Sequence, residues 1–120
     1  MPTYAENLNA TKHAYTFAAW RASYHNGLEQ YTPENCDAAQ RIFDTLIADL
    51  IACGEQASEK QKVALFQQAI EATNELPEDM IETGEREQLC ELTNTITLAC
   101  GLQPEKYGDG EGLASEWREW

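Results

Sequence analysis

The chain declares its secondary structure most plainly in Thr32-Pro33-Glu34-Asn35-Cys36-Asp37-Ala38-Ala39-Gln40-Arg41-Ile42-Phe43-Asp44-Thr45-Leu46-Ile47-Ala48-Asp49-Leu50-Ile51-Ala52-Cys53-Gly54. Thr32 offers a hydroxyl to the orphan N–H groups of a first helical turn, and Pro33 stands where a missing N–H costs nothing. Cys36, Ala39, Phe43, Leu46, Leu50 and Cys53 then recur at alternating steps of three and four, the stripe that one face of an α-helix turns to a core. Gly54 is a stop signal. The spacing predicts a helix over 33–53. Upstream, Thr3 with Glu6 forms a capping-box pattern, and Tyr4, Leu8, Thr11, Tyr15, Ala18 and Ala22 predict a first helix of about 4–26, ending at Asn26-Gly27. Downstream, Ser58 with Gln61 opens a helix of about 59–75 carrying Val63, Phe66, Ile70 and Thr73, which stops before Pro77. Thr83 is the expected cap of a helix over 84–100 with Leu89, Leu92, Ile96 and Ala99 inward, and Gly101 suits the left-handed position after it. Gly108, Gly110 and Gly112 mark an open loop, and Leu113, Trp117 and Trp120 share one face of a short helix over 112–120. Period-two alternation of β-branched residues is absent, and the short links favour antiparallel neighbours. The fold class expected is all-α: one domain over 1–120, a four- to five-helix antiparallel bundle.

Composition narrows the partners. The chain has 120 residues, 42% hydrophobic, with three Trp, five Tyr and three Phe, too apolar for a disordered acidic tail. Its 21 acids against 8 bases give a net charge of −13. Such a charge repels phosphate backbones and anionic lipid surfaces, so no direct nucleic-acid or membrane binding is expected. Met1-Pro2-Thr3-Tyr4-Ala5-Glu6 lacks the basic start and apolar run of a signal peptide, and a cytoplasmic location is the expectation. Cys36 and Cys53 lie about 25 Å apart on one helix, and Cys90 and Cys100 about 15 Å apart on another, so neither pair closes a disulfide. Free, mostly buried thiols are expected, with Cys36, in a first helical turn, the best placed for a lowered thiol pKa.

Catalytic and metal constellations do not emerge. His13 and His25 on a common helix stand about 18 Å apart, too far to share a metal. No CxxC, HExxH, GxSxG or P-loop pattern occurs. Asp109-Gly110-Glu111-Gly112 is superficially similar to a calcium loop, but that register puts Lys106 where the first carboxylate belongs. No catalytic residue, metal or cofactor is assigned. The helix ends Ile51-Ala52-Cys53-Gly54-Glu55-Gln56 and Leu98-Ala99-Cys100-Gly101-Leu102-Gln103 look alike, and we read them as two helices sharing a stop chemistry.

Two features rise above this background. Residues 1–60 carry 8 acids and 4 bases, whereas 61–120 carry 13 and 4. Between Glu71 and Glu91 the acids are Glu71, Glu75, Glu78, Asp79, Glu82, Glu85, Glu87 and Glu91, against Arg86 alone. A helix N-terminus accounts for Glu85 and Glu87. It accounts poorly for Glu75, Glu78, Asp79 and Glu82, which flank Pro77 and are candidate contacts for a basic partner. The second feature is the first helix. On one continuous helix Leu8, Thr11, Tyr15, Ala18 and Ala22 fall on one side, and Phe17, Trp20 and Tyr24 on the other. Three bare aromatics would expose a patch of about 500 Å², at the upper end for a soluble monomer. Either this helix is central, or the Leu113/Trp117/Trp120 segment covers the aromatic face, or a partner does, with Phe17, Trp20 and Tyr24 as anchors.

Thr83-x-x-Arg86-Glu87-x-Leu89-Cys90, followed by Ile96, Gly101-Leu102 and Asp109-Gly110 with Leu113 and Trp117, resembles a small all-helical bacterial family of unknown function, over roughly the last 40 residues. More broadly, an acidic helical bundle of this size is similar to the immunity proteins that bacteria keep beside secreted toxins. Those resemblances imply inhibition by binding in the cytoplasm, without catalysis. The function expected is a non-catalytic acidic protein that occludes a basic toxin or effector. The alternatives are a nucleic-acid mimic that inhibits a DNA- or RNA-binding enzyme, and a homodimeric structural domain.

Overall fold

Thr32 Oγ1 accepts from the Asn35 N–H at 3.1 Å, Pro33 occupies the first turn, and the helix they open runs Pro33–Cys53. The structure is a computed structural model that describes residues 2–120 apart from the side chain of Glu78. Among the described residues the α-helices are α1 (Tyr4–Ala10), α2 (Phe17–His25), α3 (Pro33–Cys53), α4 (Glu59–Thr73), α5 (Thr83–Ala99) and α6 (Ala114–Trp117), with single 3-10 turns between some of them and no strand. The molecule is an all-α single-domain bundle. The Thr3/Glu6 and Ser58/Gln61 capping boxes both form. Gly54 and Gly101 both take positive φ, +87° and +91°. Behind Gly101 the Leu102 N–H reaches Thr97 O and the Gly101 N–H reaches Leu98 O, the paired bonds of a Schellman stop. The cap of α5 is Glu82 and not Thr83: the helix begins one residue early, and the Glu82 N–H is met by Glu85 Oε1 at 3.1 Å.

The largest departure from expectation is at the first helix, which is two. After α1 a 3-10 turn covers Thr11–Ala14, and Tyr15 then goes extended (φ −63°, ψ 139°) before α2 starts at Phe17. The reason lies in the two opposed faces. An unbroken helix buries one of them, whereas the break rotates α2 so that Phe17 (1% exposed) and Trp20 (3%) enter the same core as Leu8, while Ala18 and Ala22 face solvent. Burying two aromatic side chains gains about 1.5–3 kcal/mol each. The break forfeits a few backbone hydrogen bonds of about 0.5–1.5 kcal/mol net each. Edge-to-face contacts of Phe17 with Tyr15 (5.0 Å) and Trp20 (5.3 Å) add to the gain. Polar tips find partners: Tyr15 OH donates to Asp44 at 2.7 Å, and Trp20 Nε1 to Gln88 Oε1 at 2.7 Å.

α1 sits between α3 and α5, α3 and α4 form a hairpin, and α6 rests on α4 and α5. Asn74 holds the C-terminal segment by both ends of its amide, accepting from the Glu119 N–H (2.9 Å) and donating to Trp117 O (3.0 Å). Trp120 Nε1 donates to Thr73 Oγ1 at 2.9 Å. That segment therefore covers the end of α4, not the aromatics of α2. One charged group is buried at the centre of this arrangement: Lys62, 5% exposed, donates to Glu55 O (2.9 Å) and Cys100 O (2.8 Å) with its ammonium 5.2 Å from the Tyr4 ring centre. No described helix is long and apolar enough to cross a membrane.

Two measurements check this packing. Phe17→Ala should cost about 3–5 kcal/mol in urea unfolding, against less than about 0.5 kcal/mol for Tyr24→Ala, the most exposed of the three aromatics. The reverse order would restore the continuous helix. Burial, first of all, also raises the hydroxyl pKa of Tyr4, Tyr15 and Tyr31 above the ordinary value. Stability from these groups is complete below the unfolded-state pKa of about 10 and declines as pH rises beyond it. Phenolate absorbance and loss of helix should consequently appear together in an alkaline titration.

Candidate functional site

The link between α4 and α5 is a held structure. Its 3-10 turn, Glu78–Met80, is pinned by Met80 and Ile81, both buried in the common core, so the polar residues between them and α4 are carried on a fixed scaffold. Glu75, Asp79 and Glu82 are exposed there. The Glu78 side chain, a fourth expected contact, lies outside the described residues. Among the described residues the one ion pair is Arg21–Asp37 at 2.7 Å, so none of the acids between Glu71 and Glu91 whose side chains are described pairs with a cation. Arg86, the only base in that interval, pairs with none of those described acids, and its Nε is buried without a hydrogen-bond partner among the described residues. The carboxylate of Glu85 and, more weakly, that of Glu82 reinforce the effect of burial in raising the Tyr31 hydroxyl pKa. Glu82 and Glu85 thus act on the core through Tyr31, while Glu75 and Asp79 stand exposed in the linker.

The aromatic half of the expected contact surface does not survive. Phe17 and Trp20 are core residues, because the break before Phe17 turns them inward, and they are unavailable as partner anchors. Tyr24 remains at the surface, 37% exposed and edge-on to His25, near Leu28 at 46%. Cys36 is also corrected. Its thiol pKa is raised, chiefly by burial and against the smaller opposing pull of Arg21, and Sγ donates to Tyr31 O at 3.6 Å. All four cysteines are free, with Cys36 and Cys100 buried, Cys90 half-buried and Cys53 exposed.

A second surface begins where the linker does. Between α3 and α4 runs an open groove of about 490 Å³, floored by Ile42, Leu46, Leu65 and Ala69 and closed at one end by Leu76. Arg41, Thr45, Gln68 and Glu75 stand exposed along its edges, with Asp49 half-buried. The bundle explains the opening: at 45 × 30 × 18 Å it is a slab, thin enough for about two helix layers, and the outer valley of the α3–α4 hairpin receives no third helix. Sequence reasoning missed this groove. The available signal was a second apolar row, Ile42 on α3 with Leu65, Ala72 and Leu76 on and after α4, lying off the stripes assigned to the core. Among the described residues no group of three or more His, Cys, Asp or Glu side chains is placed to hold a metal ion.

Comparison with protein-family models, with curated proteins and with solved structures returns no match for this chain.

Thiol chemistry gives a direct check of the burial pattern. Alkylation of the native protein should modify Cys53 first and leave Cys36 and Cys100 protected until unfolding, as read by peptide mass spectrometry. Early modification of Cys36 would contradict its place in the core.

Proposed function

We propose that this chain is a non-catalytic binding protein whose acidic linker docks a basic protein partner, with an inhibitor of a basic bacterial toxin, in the manner of an immunity protein, as its concrete form. A single observation carries the reading. Glu75, Asp79 and Glu82 are exposed on and beside a turn anchored by Met80 and Ile81, and none of them is in an ion pair among the described residues.

Like charges so placed cost stability through mutual repulsion, and internal cations are the usual remedy. Here that remedy is missing while the backbone is held rigid. A complementary cationic surface relieves the repulsion on binding, and the long-range field raises the rate at which that surface arrives. An inhibitor benefits from speed, because it competes with the target's substrate. A fixed turn adds a second advantage, since its carboxylates lose little conformational freedom in the complex.

The experiment is co-expression with the product of the adjacent reading frame and co-purification at low and high salt. A basic protein should be retained at low salt and released as salt rises. Asp79→Lys with Glu82→Lys should slow association by about tenfold or more at low ionic strength. The melting temperature should fall by no more than the loss of the Glu82 helix cap costs, about 0.5–2 kcal/mol, because both side chains are exposed and in no ion pair among the described residues. Retention of no basic protein at low salt would overturn the reading. So would a large loss of stability in the double variant, which would make these acids structural.

A further inference from the structure

The α3–α4 groove and the acidic linker share a boundary, with Leu76 closing the groove and Glu75 standing on its edge where the linker begins. We infer that the groove is the seat of an amphipathic helix supplied by the basic partner, apolar on the side that enters and cationic along its flanks. This inference rests on the binding reading above and assigns the partner's contacting element.

The lining is apolar along its length and polar only at its margins. Ile42, Leu46, Leu65, Ala69 and Leu76 form the floor and end wall, and the exposed polar side chains stand along the edges. A small polar ligand needs polar groups that converge on it from the floor, which this arrangement does not provide. A helix needs the opposite: a trough between two neighbouring helices that accepts side chains at i, i+3 or i+4 and i+7. The α3–α4 hairpin is such a trough, left empty by the rest of the chain, since α1 and α2 pack elsewhere on α3 and the C-terminal segment covers the end of α4.

The edge charges choose the kind of helix. Asp49 and Glu75 line the groove against the single lining cation Arg41, and exposed Glu71 stands in the last turn of α4, four residues before Glu75. Among the described residues none of these acids is in an ion pair. The acids of the linker continue the same sign beyond Leu76. A helix with lysine or arginine beside its apolar stripe meets carboxylates along both margins, whereas an acidic helix meets repulsion. A second copy of this chain brings net charge −13 to a surface of the same sign, which argues against self-association at this face.

The test uses a fluorescein-labelled helical peptide of leucine and lysine, its leucines spaced at i, i+3, i+4 and i+7, and a control in which glutamate replaces lysine. Anisotropy is measured near physiological salt, where charges more than about 8 Å away are largely screened. The lysine peptide should bind and the glutamate peptide should not. Methyl NMR signals of Ile42, Leu65 and Leu76 should shift on binding. Ala72→Trp, which fills the trough, should weaken binding by about tenfold or more, and Asp49→Lys with Glu75→Lys should do the same without disturbing the packed floor. Asp79→Lys with Glu82→Lys should cost less than about threefold, because those residues lie beyond the groove. Equal affinity in both groove variants would overturn the inference. If binding is then abolished by the linker variant, the acidic docking reading stands and only the groove assignment falls. Equal binding of the glutamate peptide would overturn the charge assignment. A dimer in sedimentation that Ala72→Trp dissociates would show the occupant to be a second copy.

Discussion

The bundle turns on the ammonium of Lys62. It is buried, it is in no ion pair among the described residues, and it is held by two main-chain carbonyls, Glu55 O just past the end of α3 and Cys100 O at the end of α5. The last carbonyls of a helix carry the negative end of its dipole and lack internal donors. Lys62 therefore supplies one positive charge to the C-terminal end of α5 and ties it to the loop just past α3. The Tyr4 ring lies against the same ammonium, and Tyr4 OH donates to Leu50 O in the last turn of α3. Four helices meet at that side chain. Removing it leaves the buried Cys100 carbonyl unmet, at a cost of about 1–3 kcal/mol, and deprives the part-buried Glu55 carbonyl of its donor. The chain is poor in cations, and one of its 8 is committed to this internal task.

That commitment bears on the surface. With Lys62 inside and Arg21 engaged with Asp37, few cations are left to offset 21 acids. Excess charge accumulates where the scaffold is otherwise well fastened, on a turn whose Met80 and Ile81 are locked in the core. Local rigidity and local repulsion coexist because the apolar residues of the turn hold against the charges beside them. A flexible loop would have spread its carboxylates apart. The same turn leads out of the α3–α4 valley, so the acidic linker and this apolar groove adjoin at Glu75 and Leu76.

Much of the architecture was legible in side-chain spacing. Helices α3, α4 and α5 are bounded by local chemistry: Thr32 and Pro33, Ser58 and Gln61, Gly54 and Gly101 act on backbone groups within a turn of themselves. The break at Tyr15 was not legible, since no glycine or proline marks it. It arises from a conflict between two apolar faces, and tertiary burial of Phe17 and Trp20 resolves that conflict at the expense of local helix. The clash itself was visible in the residues, but its resolution depended on where α3 and α5 lie. The acidic linker could be located from charge counts, because charges remain at the surface. The groove could not, because an unfilled valley is a property of how two helices pair and of what fails to cover them. Lys62 was equally hidden: nothing in Glu59-Lys60-Gln61-Lys62 distinguishes the buried lysine from its exposed neighbour Lys60.

The extended Tyr15 peptide also affects what the N-terminal segment tolerates in evolution. In a continuous helix, one inserted residue turns everything beyond it by about 100° and carries an apolar face out of the core. Here the rotational setting of α2 is fixed by the docking of Phe17 and Trp20 themselves, through Phe43, Tyr31 and Gln88, and is not inherited from α1. The joint at Ala14-Tyr15-Thr16 is where a change in chain length leaves both helices in register, so that α1 and α2 are free to drift in sequence as two separate modules sharing one core.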